Sequence, residues 1–239
     1  MPVTVSRETH PRVTLKGANS GTVNSGILVG SGDGNRVSMT FTATAEPLIV
    51  IPEGPVSDAQ LEAGAFATSY IPNTADSGTV TRSPDIASIP VRAFGYNQDA
   101  GTVVVEYDSV APNTATNRRA FALTGDPVGH EQVSIYASSG YLHRGYVVND
   151  GAAIALPIGA TGWTENQFYK SALTVDATDA TISVDGAAAV TDPTGSMPTI
   201  DTLALGSQAT SGNYLNGHIK SLSYFPRRLT NIQLQELTS

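Results

Sequence analysis

Between residues 100 and 225 the chain is a procession of strand-length runs, each halted by Gly, Asn, Asp or Pro. Gly101-Thr102-Val103-Val104-Val105-Glu106-Tyr107 is followed by Arg119-Ala120-Phe121-Ala122-Leu123, which Thr124-Gly125-Asp126-Pro127 stops. Glu131 to Ala137 and Tyr141 to Val148 flank Ser138-Ser139-Gly140, and Phe168 to Val175 and Ala180 to Val184 flank Asp176-Ala177-Thr178-Asp179. Asp185-Gly186 is a turn dipeptide suited to type I′ geometry, which needs positive φ at both central positions. Thr199 to Gly206 and Gly217 to Phe225 complete the set. Runs of this length and even spacing, with almost no helical periodicity, predict an all-β sandwich of two antiparallel sheets. The one helix expected is C-terminal. Thr230 offers an N-cap, and Ile232, Leu234 and Leu237 are placed to face inward.

A second strand grammar occupies the N-terminal third. Val3-Thr4-Val5, Arg12 to Leu15, Gly26 to Val29 and Val37 to Thr42 are strand-length, and Leu48-Ile49-Val50-Ile51 reads as a buried strand. Residues 1–72 are therefore expected to form a small β-sandwich and residues 91–239 a larger one. Residues 73–90, with Pro72 before them and Ser83-Pro84 within, read as a linker. A sandwich as small as the first buries proportionally little surface. Together with the sparse surface charge, this suggests a homo-oligomer, with a trimer expected.

Composition narrows the chemistry. The 239 residues contain no cysteine, so disulfides, thiolate metal sites and cysteine nucleophiles are excluded together. Thirteen basic against 21 acidic residues give a net charge of −8, the wrong sign for following a phosphate backbone. Arg118-Arg119 and Arg227-Arg228 are the only adjacent basic pairs, too short for a nucleic-acid patch. No apolar run reaches the roughly 20 residues of a membrane-spanning helix, so membrane insertion is not expected. Met1-Pro2-Val3-Thr4-Val5-Ser6-Arg7 lacks the apolar core of a signal peptide, which implies synthesis in a cytoplasm.

Two stretches carry resemblances. Gln60-Leu61-Glu62-Ala63-Gly64-Ala65-Phe66-Ala67-Thr68-Ser69-Tyr70-Ile71-Pro72, followed by Val80-Thr81-Arg82-Ser83-Pro84-Asp85, resembles a junction recurring in tail and receptor-binding proteins of tailed bacteriophages. There it closes a small carbohydrate-binding-module-like sandwich and leads into another domain. Read for packing alone, Leu61, Phe66, Tyr70 and Ile71 would fill a last strand and its exit turn. The second resemblance runs through Val184-Asp185-Gly186, Leu203 to Ser207, Leu215 to Ile219 and Tyr224 to Thr230. It is similar to the concanavalin A-like (laminin G-like) lectin/glucanase fold, a jelly roll, over residues 100–239. These resemblances imply a virion protein, on a tail fibre or head fibre, exposed on the particle surface beside other virion proteins. Its expected partner is host cell-surface polysaccharide.

That fold houses lectins and glycosidases alike, so function rests on side chains. Laminarinase-type relatives carry Glu-x-Asp-x-x-Glu on one strand. Here Glu106-Tyr107-Asp108 supplies the first two, and Ala111 stands where the third would be. Glu106 and Asp108 are then read as solvated strand-end carboxylates. The four histidines are scattered, and no nucleophile elbow or phosphate loop is present. Asp176 and Asp179 could hold Ca²⁺, but two aspartates in a hairpin loop are ordinary turn chemistry. The expectation is a non-enzymatic protein with no catalytic residue, metal or cofactor.

Sugar binding asks for aromatic faces beside amides, carboxylates or guanidinium groups. The single tryptophan, Trp163, lies in what reads as a loop, Gly159 to Asn166, as either a sugar platform or a cap on the core. Tyr141, His143, Arg144 and Tyr146 crowd one hairpin. Alternation puts Tyr141 and His143 on one face and Arg144 and Tyr146 on the other. Cross-strand packing accounts for them as well as a glycan site does. The leading expectation is glycan attachment without turnover. A purely structural head-decoration or tail-assembly role and a polysaccharide-degrading enzyme are the alternatives.

Overall fold

A computed structural model describes residues 2–6, 12–17, 28–29, 36–41, 48–54, 56–62, 70–73, 79–80, 85–110, 117–127, 129–138, 140–208 and 213–239. The chain divides into two compact units, Met1–Ser83 and Pro84–Ser239. His10, Phe66, most of the phage-like junction and much of the expected linker lie outside the described residues.

Among the described residues the first unit holds six strands: β1 (Pro2–Ser6), β2 (Arg12–Gly17), β3 (Leu28–Val29), β4 (Arg36–Thr40), β5 (Leu48–Glu53) and β6 (Ser57–Leu61). They form two three-stranded antiparallel sheets, ordered β4-β1-β6 and β3-β2-β5. Leu28 and Phe41 are the buried centre, with Val37, Met39, Leu48 and Val56 packed on them, so both sheets contribute to one small core. The run Leu48–Ile51 departs from its expected burial, because β5 is an edge strand and Ile49 and Val50 are exposed.

The second unit opens with β7 (Ala87–Pro90), which lies inside the range read as linker. It pairs antiparallel with a strand more than a hundred residues away, and so belongs to the sandwich. Eleven strands follow: β8 (Ala100–Tyr107), β9 (Arg118–Thr124), β10 (Gln132–Ala137), β11 (Leu142–Asn149), β12 (Ala152–Ala155), β13 (Ile158–Gly162), β14 (Tyr169–Asp176), β15 (Asp179–Val184), β16 (Val190–Pro193), β17 (Thr202–Leu205) and β18 (Ile219–Phe225). They build a seven-stranded sheet, β12-β11-β10-β9-β17-β7 with β13 also on β11, and a five-stranded sheet, β16-β15-β14-β8-β18. The chain is an all-β protein with a jelly-roll sandwich.

Alternation explains the core. Val103, Val105 and Tyr107 of β8, Leu173 of β14 and Ile182 of β15 point between the sheets. They meet Phe121 and Leu123 of β9, Val133 and Ile135 of β10 and Val147 of β11. The turn Val184–Ala187 has the anticipated positive φ at Asp185 (47°) and Gly186 (70°), closed by Ala187 N–H donating to Val184 O at 2.9 Å. Gly217 passes close to β8: a Cβ there would stand 2.2 Å from the Asp108 carbonyl oxygen.

The helix α1 (Asn231–Thr238) lies on the outer face of the five-stranded sheet, where Leu229 and Leu234 pack with Val104 and Ala172. Thr230 is its N-cap in a complete capping box with Gln233. Leu234 and Leu237 face inward as anticipated, but Ile232 is 68% exposed. One helical turn separates Leu234 from Leu237 and Thr238, whereas Ile232 falls on the opposite side of so short a helix.

Candidate functional site

The outer face of the seven-stranded sheet carries a cluster that strand alternation alone does not foresee. Phe121 of β9 points into the core, so regular alternation would send Arg119 inward too. The pairing of β9 with β10 shifts register, however. Ile135 stands opposite Phe121 while Tyr136 stands opposite Arg119, leaving Ala120 as an extra residue. Such a bulge re-aims the side chains beyond it. Arg119 thus turns to the outer face, beside Tyr136.

Register fixes the neighbours. Tyr136 pairs with Arg119 on one side and with Arg144 of β11 on the other. Ser134 pairs with Tyr146 and Ala122, and Gln132 with Val148 and Thr124. These rows carry two guanidinium groups, two phenols, hydroxyls and an amide, and neither carboxylate nor imidazole.

Arg119 is the centre of the cluster. It is only 4% exposed, with its guanidinium 5.4 Å from the Tyr136 ring centroid and 5.6 Å from that of Tyr146. The two rings meet edge to face at 6.0 Å, and contacts of this kind fix aromatic geometry. One terminal nitrogen of Arg119 donates to Ser134 Oγ at 2.7 Å, and Nε has no hydrogen-bond partner. Burial lowers the Arg119 pKa, and the tyrosines on either side oppose that shift. Burial likewise raises the Tyr136 pKa, against the pull of Arg144 and Arg119.

A chain of amides closes one side. Gln132 Nε2 donates to Ser134 Oγ at 2.8 Å, Gln208 Nε2 to Gln132 Oε1 at 3.0 Å, and Asn213 Nδ2 to Gln208 Oε1 at 3.2 Å. The Arg119 backbone N–H donates to Asn213 O at 3.1 Å, which holds Asn213 beside β9. Such an arrangement can hold hydroxyl and oxyanion groups against aromatic faces.

The residues expected from sequence fall into two sets. Arg144 and Tyr146 share the outer face and join the cluster; both are half-buried. His143 lies on the other side of β11 and is 0% exposed, with Nδ1 2.7 Å from the Tyr107 hydroxyl and its ring 4.6 Å from that of Tyr169. Burial drops its pKa to about 4. Trp163 is 4% exposed within the core, and its indole N–H donates to Ser138 O at 3.1 Å. Of its two readings the structure supports the core cap, because β13 runs to Gly162 and delivers the ring inward. Tyr141 precedes β11 in a left-handed conformation (φ 57°), so alternation does not govern it. It is half exposed and tilted against Trp163 at 5.6 Å. Arg119, Tyr136, Gln132 and Gln208 were missed. The signal available was the Arg118-Arg119 pair at a strand start, and the bulge that gives it meaning leaves no mark in the sequence.

The carboxylates weighed for catalysis are engaged elsewhere. Glu106 accepts from Lys220 Nζ at 2.6 Å. Asp108 is buried rather than solvated, and accepts from the His218 backbone N–H at 2.6 Å, with His218 Nδ1 at 3.0 Å. Asp176 and Asp179 are both paired with Arg228, and Asp176 also accepts from Thr178 and Asp179 N–H groups.

No protein-family model matches this sequence, and no curated protein matches it. Among solved structures the chain is similar to the NanB sialidase of Streptococcus pneumoniae, with a TM-score of 0.50 and 16% identity over 64% of this chain. The match covers only 27% of the NanB chain. It is similar too to the CBM40 of Ruminococcus gnavus IT-sialidase bound to alpha2,3 sialyllactose, with a TM-score of 0.50 and 15% identity, over 60% of this chain and 84% of that one. At such identities the likeness establishes the fold, a lectin-like β-sandwich.

Proposed function

We propose that the chain is a non-catalytic glycan-binding protein whose site is the outer face of the seven-stranded sheet, with Arg119, Tyr136, Arg144 and Tyr146 as the contact residues. The observation that carries this reading is the bulge at Ala120, which places an enclosed guanidinium between two tyrosine rings. Aromatic faces suit the apolar side of a pyranose, and guanidinium and amide groups suit its oxygens. A solved neighbour of the same fold binds sialyllactose. The engagement of Glu106 with Lys220 and of Asp108 with His218 favours binding over hydrolysis, which usually needs a free carboxylate pair.

The finer reading rests on the sequence resemblances. The chain would be a virion component of a phage or phage-like particle that fastens it to host-surface polysaccharide, with several weak sites gaining strength from a trimer. A glycan array probed with the native protein and with Tyr146→Ala tests the site. Specific signals that the variant loses support it. Signals unchanged in a folded variant, or release of reducing sugar from a bound polysaccharide, would overturn it.

A further inference from the structure

We infer that the glycan held on this face is acidic, and that Arg119 and Arg144 together receive its oxyanion group. The inference rests on the reading of the face as a glycan site and specifies the ligand's charge. Elsewhere in the second unit two of the cations are held by carboxylates. Arg228 lies against both Asp176 and Asp179, and Lys220 holds Glu106 at 2.6 Å. The outer face carries no such pairing, in a chain with 21 acidic residues against 13 basic ones. Among the described residues no carboxylate pairs with Arg119 or Arg144.

Arg119 is the more telling of the two. A buried guanidinium without a counter-ion is costly to keep, and removal of a partner from such a charge is strongly destabilising. Here the charge is offset by two phenol rings and one hydroxyl, and its Nε–H is left without an acceptor. An apolar side chain of similar volume would fill the same space without the cost of burying a charge. A ligand oxyanion on this face supplies the missing negative charge. Arg144 stands across Tyr136 from Arg119, two strand spacings or about 10 Å along the sheet. Arg144 is half-buried, and Tyr136 stands on the strand between them. The arrangement suits a sugar ring over the phenols with its charged substituent drawn to the guanidinium groups, which bind planar oxyanions through paired N–H donors.

Carboxylate and sulfate ester share this chemistry, and matched probes separate them. Immobilised oligosaccharides containing glucuronate, galacturonate or a nonulosonate would be offered beside the same oligosaccharides with carboxyl groups reduced to alcohols. Sulfated and unsulfated forms of one neutral oligosaccharide form the second arm. The native protein should bind at least one acidic probe and lose roughly tenfold or more in affinity on its uncharged counterpart. Whichever arm shows this loss names the oxyanion. Arg144→Gln, on the half-buried side of the site, should reduce that binding by a similar factor with an unchanged melting temperature. Equal binding of charged and uncharged partners would overturn the inference and leave glycan binding intact. Acidic-probe binding that Arg144→Gln does not alter would overturn the assignment to this face. Absence of binding to every probe, neutral or acidic, would overturn the proposed function and the inference with it.

Discussion

Acidification should destabilise the second unit through one residue, His143. Its ring is fully enclosed among Tyr107, Tyr169 and the surrounding core, with Nδ1 at 2.7 Å from the Tyr107 hydroxyl and Nε2 unpartnered. Burial drops its pKa from 6.5 to about 4. Between those values the unfolded chain holds a proton that the folded chain does not, so stability falls as pH falls. The contribution is complete above pH 6.5 and is lost progressively down to about pH 4. At about 1.4 kcal/mol per pH unit the whole window is worth roughly 3 kcal/mol, of which about 2 kcal/mol is gone by pH 5. For a unit of this size that corresponds to a fall of roughly 4–8 °C in melting temperature. The single, buried Trp163 makes urea unfolding by tryptophan fluorescence a direct report on this core. Every other group is common to native protein and variant, so the informative quantity is a difference. His143→Phe keeps a ring in the space and removes the titration. It should be less stable than the native protein at pH 7 because Tyr107 loses its partner, and the gap should narrow by about 2 kcal/mol between pH 7 and pH 5. Parallel pH profiles for the two proteins would refute the reasoning.

Two further perturbations test packing. Trp163→Ala should cost roughly 3–5 kcal/mol through the cavity it opens, seen as a lower urea midpoint by circular dichroism, and a variant as stable as the native protein would remove Trp163 from the core. Gly217→Ala places a methyl group against the Asp108 carbonyl oxygen at 2.2 Å. It should lower stability by about 1–3 kcal/mol by forcing the start of β18 away from β8, measured as a drop in melting temperature.

The sequence made the second sandwich legible because its strands alternate cleanly and its turns carry Gly, Asn or Asp where positive φ is needed, as at Asp185-Gly186. It was less clear at the edges. Ala87–Pro90 reads as linker because a short edge strand needs no apolar alternation, and only its pairing with Thr202–Leu205 reveals it. Gly159–Gly162 reads as loop for want of large side chains, yet it is the strand that drives Trp163 inward. At the site, alternation correctly separated His143 from Arg144 and Tyr146. It failed for Arg119, because a one-residue bulge reverses the face of everything before it. Aromatic residues drew attention to Trp163 and Tyr141, although burial had already committed the first of them.

The most direct test of the central claim is a map of backbone amide shifts as an acidic oligosaccharide selected on the array is titrated into the isotope-labelled chain. The account predicts saturable shifts centred on Arg119, Ser134, Tyr136, Arg144 and Tyr146, weakened by added salt because the contact is ionic. Shifts centred instead on the far side of the sandwich, around Phe168, His218 and Lys220, would contradict it.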